Sequence, residues 1–411
     1  MNAPIKQHLI DPEICIRCNT CEETCPVDAI THNEDNYVVR AETCEFCMDC
    51  IAPCPTGAID NWRVVRTPYP IEEQMAWTEL PAQDDVAVPA GAGTHGGDGG
   101  DPAAAPAAAI ESLEEDVERL LAEAHAGAGG RVKPPASASK PSVNLYSRRK
   151  PAVATVQANY RVTAATRERD VHHIILDLGN EPFPVLEGQS VGIVPPGARS
   201  DGKPHALRLY SVASPRDGEK PNTNNIALTV KREERGVCSN YLCDLNKGDT
   251  VALTGPFGAT FLMPNSPDAN VLMICTGTGS APFRGFTMRR QRQQPNASGR
   301  LILYFGARTP EELPYFGPLK KVPAAILTQR LVFSRLPGEA KEYVQHRMIR
   351  EASWLAPLIG EPSTHIFICG LKGMEAGVDA ALDTIAALAG RDWAALKAEM
   401  RESGRYHVET Y

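Results

Sequence analysis

The chain has 411 residues, with 42 Lys/Arg against 50 Asp/Glu for a net charge of −8, and 12 cysteines. That length suits two or three domains with at least one large core. No run approaches the ~20 apolar residues of a membrane-spanning helix, and no basic cluster with interleaved aromatics marks a nucleic-acid face, so both classes are excluded.

Eight of the cysteines fall into two copies of one pattern near the start. Cys15-x-x-Cys18-x-x-Cys21-x-x-x-Cys25-Pro26 recurs as Cys44-x-x-Cys47-x-x-Cys50-x-x-x-Cys54-Pro55, and Val-Asp-Ala-Ile after Pro26 is echoed by Thr-Gly-Ala-Ile after Pro55. The region therefore reads as an internal duplication. Structural zinc sites space their ligand pairs differently, without a third cysteine two residues on. Met1 to Ile10 lacks the basic start and apolar run of a leader, so a cytoplasmic setting is expected and disulfides are not. Over about residues 8–66 the sequence resembles the bacterial two-cluster ferredoxins. The resemblance implies two [4Fe-4S] clusters in a small ferredoxin-like domain at 1–80, the fourth cysteine of each run serving the other run's cluster. The expected sets are Cys15, Cys18, Cys21 and Cys54, and Cys44, Cys47, Cys50 and Cys25.

Residues 1–80 carry 5 Lys/Arg and 14 Asp/Glu, whereas residues 151–411 carry 30 and 26. That asymmetry suits either oriented docking or simple solubility of an acidic small domain. Between them, 81–150 reads as an Ala/Gly/Pro-rich flexible linker. One helix candidate interrupts it at 110–126, with Ile110, Leu113, Val117, Leu120, Leu121 and Ala124 on one stripe and glycines 127, 129 and 130 as a stop. Docking of that stripe and a helix formed only in passing are both compatible with the pattern. Pro134 to Pro141 is expected to be a second flexible piece.

Residues 151–266 alternate short β-rich runs with turns, at 152–160, 172–178, 190–194, 207–213, 226–231 and 250–254, which predicts an antiparallel β-barrel. From about 267 to 411 strands alternate with helices, at 271–275, a helix from Pro282, then 301–305, 331–333 and 365–369 followed by helix. This predicts a doubly wound parallel sheet. The fold class is thus multidomain, α+β and α/β.

Five motifs occur in order: Arg208-Leu-Tyr210-Ser211, Gly236-Val237-Cys238-Ser239, Gly277-Thr278-Gly279, Cys369-Gly370-Leu371-Lys-Gly, and a terminal His407-Val-Glu409-Thr-Tyr411. Together they resemble the plant-type ferredoxin–NADP reductase family over nearly all of 151–411. The resemblance implies an FAD-binding barrel and an NADP-binding domain. Arg208 and the amides of Val237, Cys238 and Ser239 would then bind flavin pyrophosphate, with Tyr210 on the flavin ring and Thr229, Val230 and Lys231 lining it. Gly277, Thr278, Gly279, Arg308, Gly370 and Leu371 fall to the nicotinamide nucleotide. Ser334, Arg335, Lys341 and Tyr343 fall to a 2′-phosphate, because no Asp or Glu occupies the turn that would bind a ribose hydroxyl; NADPH is expected over NADH. Catalysis is expected from Ser211, Cys369, Glu409 and Tyr411, Glu409 also holding the nicotinamide amide and the terminal tyrosine moving aside for the ring. Cys238, Cys243 and Cys275 read as packing residues.

Flavin mediates between two-electron and one-electron chemistry, so the implied path runs from NADPH through FAD and two clusters to an outside acceptor. The chain holds no Glu-x-x-His pair of a di-iron site, which places the terminal oxidant on another polypeptide. The whole-chain order of ferredoxin, linker and reductase is similar to the reductase components of benzoyl-CoA 2,3-epoxidase systems. That similarity implies a separate di-iron oxygenase as partner, in aerobic benzoate breakdown. A general reductase for another oxygenase or dehydrogenase, and an electron-entry subunit of a larger complex, are the alternative readings.

Overall fold

The computed structural model describes residues 5–12, 15, 17, 19–47, 50, 54, 58, 59, 61–81, 108–129, 132–165, 169–199 and 202–411. They fall into two units, Met1–Leu120 and Leu121–Tyr411.

In the first unit, β1 (Ile5–Leu9) pairs antiparallel with β4 (Asn61–Val65), α1 (Thr20–Thr24) lies between the strands in sequence, and β2 (Ile30–His32) pairs with β3 (Tyr37–Val39). The duplicated Ala-Ile pairs, Ala29-Ile30 and Ala58-Ile59, are all buried in one core with Ile10, Tyr37 and Val39. His8 stacks on Trp62 at 4.0 Å. Beyond β4, the short helix α2 (Ile71–Gln74) is tied back by the Asn36 amide, which donates to the Met75 and Trp77 carbonyls at 3.1 and 2.7 Å.

The helix candidate of the linker is helix α3 (Ala108–His125), ending in a 3-10 turn at Ala126–Ala128 with Gly129 at φ 76°. Residues 82–107 lie outside the described residues. The second flexible piece is corrected: Ser137 accepts from the Asn265 amide at 3.2 Å, and buried Ser139 accepts from Arg216 and Asn265 at 3.0 and 3.1 Å. Tyr146 bridges Gly255 and stacks on Phe183. The sequence looked solvated because it is Pro- and Ser-rich, but its polar groups are satisfied by the second unit's own loops.

The barrel strands are β5 (Ala152–Arg161), β6 (Val171–Asp177), β7 (Ser190–Ile193), β8 (Arg208–Ser211) and β9 (Asn225–Lys231). Helix α4 (Val237–Asp244) and β10 (Thr250–Phe257) follow. They form one antiparallel sheet, β8-β7-β10-β5-β6-β9. A bridge between Val212 and Leu228 brings its two edges together, and the alternating inward residues, among them Val156, Ile174, Leu176, Val191, Leu228 and Val251, fill its interior.

The C-terminal part runs β11 (Asn270–Thr276), α5 (Ser280–Gln293), β12 (Leu301–Ala307), α6 (Phe316–Lys320), β13 (Leu327–Phe333), α7 (Val344–Arg350), α8 (Ala352–Ile359), β14 (Thr364–Gly370), α9 (Glu375–Leu388), α10 (Trp393–Glu402) and β15 (Tyr406–Thr410). Five parallel strands stand in the order β13-β12-β11-β14-β15. Helices cover both faces: Leu272 and Ile274 enter one core, Val271, Met273 and Cys275 the other. The barrel and this sheet are fastened by α5. Its Arg284, Arg289 and Arg292 pair with Glu219, Glu187 and Asp217 of the barrel.

Candidate active site

The strand order reverses between β11 and β14, and ligands of open parallel sheets bind outside the carboxyl ends of the strands at such a point. Both loops there are built for close approach. A side chain at Gly279 would collide with the Cys369 carbonyl, and Gly370 holds φ 142° against Thr276. The Gly277–Gly279 turn leads directly into α5.

Beside this point the barrel and the sheet meet. Register aligns Cys275, Cys369 and Glu409 across β11, β14 and β15, and Ser190 with Ser211 across β7 and β8. The two rows are joined where the Ser190 hydroxyl donates to Glu409 Oε1 at 3.3 Å. Glu409 is buried, and its Oε2 has no hydrogen-bond partner among the described residues. Burial raises the Glu409 carboxyl to about 7, with the Ser190 contact opposing. Burial, then the neighbouring Glu409, pushes the Cys369 thiol well above its ordinary range, so it stands as a neutral thiol. Tyr411 donates its amide to the Gly370 carbonyl at 3.0 Å, and its hydroxyl lies 2.8 Å from that of Thr278. The expected quartet of Ser211, Cys369, Glu409 and Tyr411 thus lies on adjoining strand ends, and an amide offered to Glu409 Oε2 fits the orphaned oxygen.

On the barrel, Arg208 is exposed and Tyr210 half-buried, its hydroxyl held up by burial and then by Cys238. Cys238 is buried at the start of α4, Val237 is exposed, and the Ser239 hydroxyl accepts from the Glu233 amide at 3.1 Å. Strand alternation turns the Val230 side chain into the barrel core and leaves its main chain outward, and the Thr229 hydroxyl is 2.7 Å from the Tyr315 hydroxyl. Lys231, on the outward face, pairs with Glu233.

At the outer end of the sheet, Arg308 follows β12 and Ser334-Arg335 follow β13, the Arg335 amide donating to the Arg308 carbonyl at 2.8 Å. Exposed Lys341 and half-exposed Tyr343 precede α7. This edge is rich in cations and hydroxyls, as a 2′-phosphate requires.

In the first unit, Cys25, Cys44, Cys47 and Cys50 line one small cavity with His8, Val27, Ile30 and Phe46. The Ala29 amide donates to Cys25 Sγ at 3.2 Å. Burial raises the Cys50 thiol, with Cys47, Cys44, Cys21 and Cys25 adding to the shift. Such soft, crowded thiols fit an iron–sulfur group, which draws protons off its ligands when bound. Cys21 and Cys54 are buried and Cys15 is half-buried, while Cys18 lies outside the described residues. Among the described residues no group of three or more His, Cys, Asp or Glu is placed to hold a single metal ion.

Three parts of the chain match known domain families: a 4Fe-4S binding domain at 8–31, an oxidoreductase FAD-binding domain at 184–261, and an oxidoreductase NAD-binding domain at 273–380. The ferredoxin–NADP reductase of Synechocystis sp. is 39% identical over 287 residues, covering 66% of this chain and 70% of the relative. That of Spirulina sp. is 37% identical over 288 residues, covering 66% and 98%. The chain belongs to the ferredoxin–NADP reductase family. The fold agrees: the ferredoxin–NADP+ reductase of Plasmodium falciparum superposes with a TM-score of 0.53 at 24% identity, covering 66% of this chain and 99% of that one. As a family member the chain is an NADPH-dependent oxidoreductase.

Within this reductase, several residues near the site carry no motif. Ser190, which holds Glu409, is a barrel residue with nothing in its neighbourhood to mark it. Tyr315 joins Thr229 to His173, whose Nδ1 is 2.8 Å from its hydroxyl. Arg169 brings a guanidinium nitrogen within 4.0 Å of where a Gly277 side chain would begin. The second cysteine run, 44–55, lies beyond the matched 4Fe-4S segment, and the matched relatives leave about a third of the chain uncovered.

Proposed function

We propose that the protein takes hydride from NADPH and passes single electrons through FAD and two [4Fe-4S] clusters to a separate di-iron oxygenase that epoxidises benzoyl-CoA. The observation that supports the reductase part is the junction of barrel and sheet at Ser190 and Glu409, with Ser211 paired to Ser190 and Cys369 paired to Glu409. Bound FAD supplies the exchange between two-electron and one-electron transfer. The protein's share is to bind and orient. Arg208 and the α4 amides anchor a pyrophosphate, and Tyr210 supports the flavin ring. Glu409 takes the nicotinamide amide, Ser211 and Cys369 flank the transfer point, and Tyr411 yields its place to the nicotinamide.

The two cysteine runs supply the cluster ligands in the crossed sets, and the covalent tether raises the local concentration of that acceptor beside the flavin. Clustered thiolates suit the reducing cytoplasm, and no helix among the described residues is long and apolar enough to cross a membrane. The oxygenase partner rests on the order of domains along the whole chain. Anaerobic titration with NADPH, followed by flavin and iron–sulfur absorbance, tests the path. Reoxidation on adding the di-iron oxygenase, benzoyl-CoA and oxygen supports the named partner, whereas a protein that stays reduced retains the reductase reading and loses that partner.

A further inference from the structure

Strand alternation sends Glu409 and Thr410 to opposite faces of β15. Glu409 turns to the barrel, where Ser190 meets it. Thr410 turns the other way and is buried, and its hydroxyl donates to the Glu375 carboxylate. Glu375 opens α9 directly after the turn at Lys372–Met374, whose Lys372 amide donates to a Tyr411 main-chain oxygen at 3.4 Å. The far side of Glu375 is closed by the turn that follows α3. A side chain at Gly127 would run into the Glu375 carboxylate. That turn is fixed in its place. Ala128 is fully buried in one core with Met374 and Val378, and Gly404 has no room for a side chain against the Pro134 carbonyl. Residues 126–134 therefore form a strap that confines Glu375 against β15.

We propose that Glu375 is a positioning residue for Tyr411: it holds Thr410 so that the neighbouring tyrosine keeps the nicotinamide's place, and the turn at Gly127 holds Glu375 to that task. This rests on the NADPH reading of the site, in which Tyr411 yields to the nicotinamide. A ligand that binds only one of two states has its apparent affinity reduced by that state's population. Releasing Thr410 raises the population of the yielded state and tightens binding, but only while there is a tyrosine to displace. The strap joins the reductase to α3 and to the tether before it. The gate is thus set from the side of the chain that carries the cysteine runs.

The test is NADP+ binding to the full-length holoprotein, read from flavin difference absorbance in a double-variant cycle. Glu375→Ala is expected to bind NADP+ about threefold more tightly, the size of a coupling exerted through a neighbour. The gain should stay below that of Tyr411→Ser, because Thr278 and Gly370 still hold the tyrosine. Glu375→Ala/Tyr411→Ser should match Tyr411→Ser alone, whereas a general loosening of the fold would add to it. Glu375→Gln keeps an oxygen for Thr410 and should restore most of the wild-type affinity. Gly127 lies outside the left-handed region that Gly129 takes, so Gly127→Ala displaces the carboxylate without altering it and should act as Glu375→Ala does. Unchanged affinity in Glu375→Ala, or the same change in both backgrounds, overturns the assignment alone. Unchanged affinity in Gly127→Ala overturns the part given to the strap. Failure of the unaltered chain to bind NADP+ sinks the NADPH reading and the assignment together.

Discussion

The hydroxyls of Thr278 and Tyr411 lie 2.8 Å apart, so the Tyr411 side chain is tied to the glycine turn at the sheet's switch point. On the proposed function, a nicotinamide entering beside Cys369 breaks that tie. Tyr411→Ser removes the obstacle and the bond together. A net hydrogen bond is worth ~1 kcal/mol, so NADP+ is expected to bind up to about tenfold more tightly, with slower turnover where product release limits the rate. Titration of NADP+ against flavin absorbance, compared with steady-state turnover, checks both directions. An unchanged affinity would mean that Tyr411 does not occupy the ring's place.

Glu409 makes stability depend on pH in an unusual direction. Its carboxyl is raised to about 7 by burial, so between ~4.5 and ~7 the unfolded chain has released a proton that the native state keeps. Stability should therefore fall as pH rises through that window, by up to about 3 kcal/mol for this group. Glu409→Gln should flatten that part of the profile. Urea unfolding of both proteins at pH 5 and pH 8 reads the difference. A wild-type profile parallel to the variant's would show that Glu409 is already ionised at pH 5.

His407 on β15 and His365 at the start of β14 act the other way. Burial lowers them to about 3 and about 4 respectively, the nearby Arg405 adding to the effect at His365. The unfolded chain takes up protons below ~6.5 that these rings refuse, so acid should loosen β15 first. Hydrogen exchange at pH 4 is expected to deprotect the amides of Tyr406 to Thr410 ahead of those of β11, and equal protection would contradict it. The C-terminal strand therefore has its best stability between the acid limit set by the histidines and the rise set by Glu409.

Much of this is legible in the amino-acid sequence, because the motifs reflect local demands. Two-residue spacing among thiols, glycine where two strand-end loops touch, and alternation along barrel strands each leave a pattern in the chain. Strand β15 does not. Its five residues are all buried, yet His407, Glu409 and Thr410 look like surface residues, because their burial comes from the neighbouring strand and helices. Along β9 the Val230 side chain enters the barrel core while Thr229 and Lys231 take the other face, because a strand sends only alternate side chains one way. Ser190 and Tyr315 reach the site through tertiary folding alone, and residues 134–141 have a linker's composition, which does not reveal where polar groups find partners.

Glu187 links the two reductase domains through a buried triad. Burial alone would raise its carboxyl, but Arg216 and Arg289, with contacts of 3.2 and 3.1 Å, hold it at about 2. Glu187→Gln leaves two buried guanidiniums without their counter-charge, and removing one partner of such a pair costs ~3–5 kcal/mol. The wild-type contribution is present above ~4.5 and fades as pH falls toward ~2, the sense of a lowered carboxyl. Denaturant unfolding at pH 7 should show the loss, and a variant within ~1 kcal/mol of wild type would mean that water or rearrangement replaces the carboxylate.

The cavity lined by Cys25, Cys44, Cys47 and Cys50 separates two ways of sharing eight thiols. If ligation is crossed, Cys25 serves the same cluster as Cys47, and each single change to serine should lower bound iron from ~8 to ~4 atoms per chain. The double variant Cys25→Ser/Cys47→Ser then loses nothing more, because both residues belong to one cluster. If each run instead holds its own cluster, Cys25 and Cys47 belong to different ones and the double variant loses nearly all iron. Cys47→Ser/Cys54→Ser is the complement: crossed ligation empties both clusters, whereas run-by-run ligation empties only one. Iron content with low-temperature electron paramagnetic resonance of the reduced proteins distinguishes the cases. The cavity, with the Ala29 amide already directed at Cys25 Sγ, favours the crossed arrangement, because Cys25 stands with the thiols of the second run.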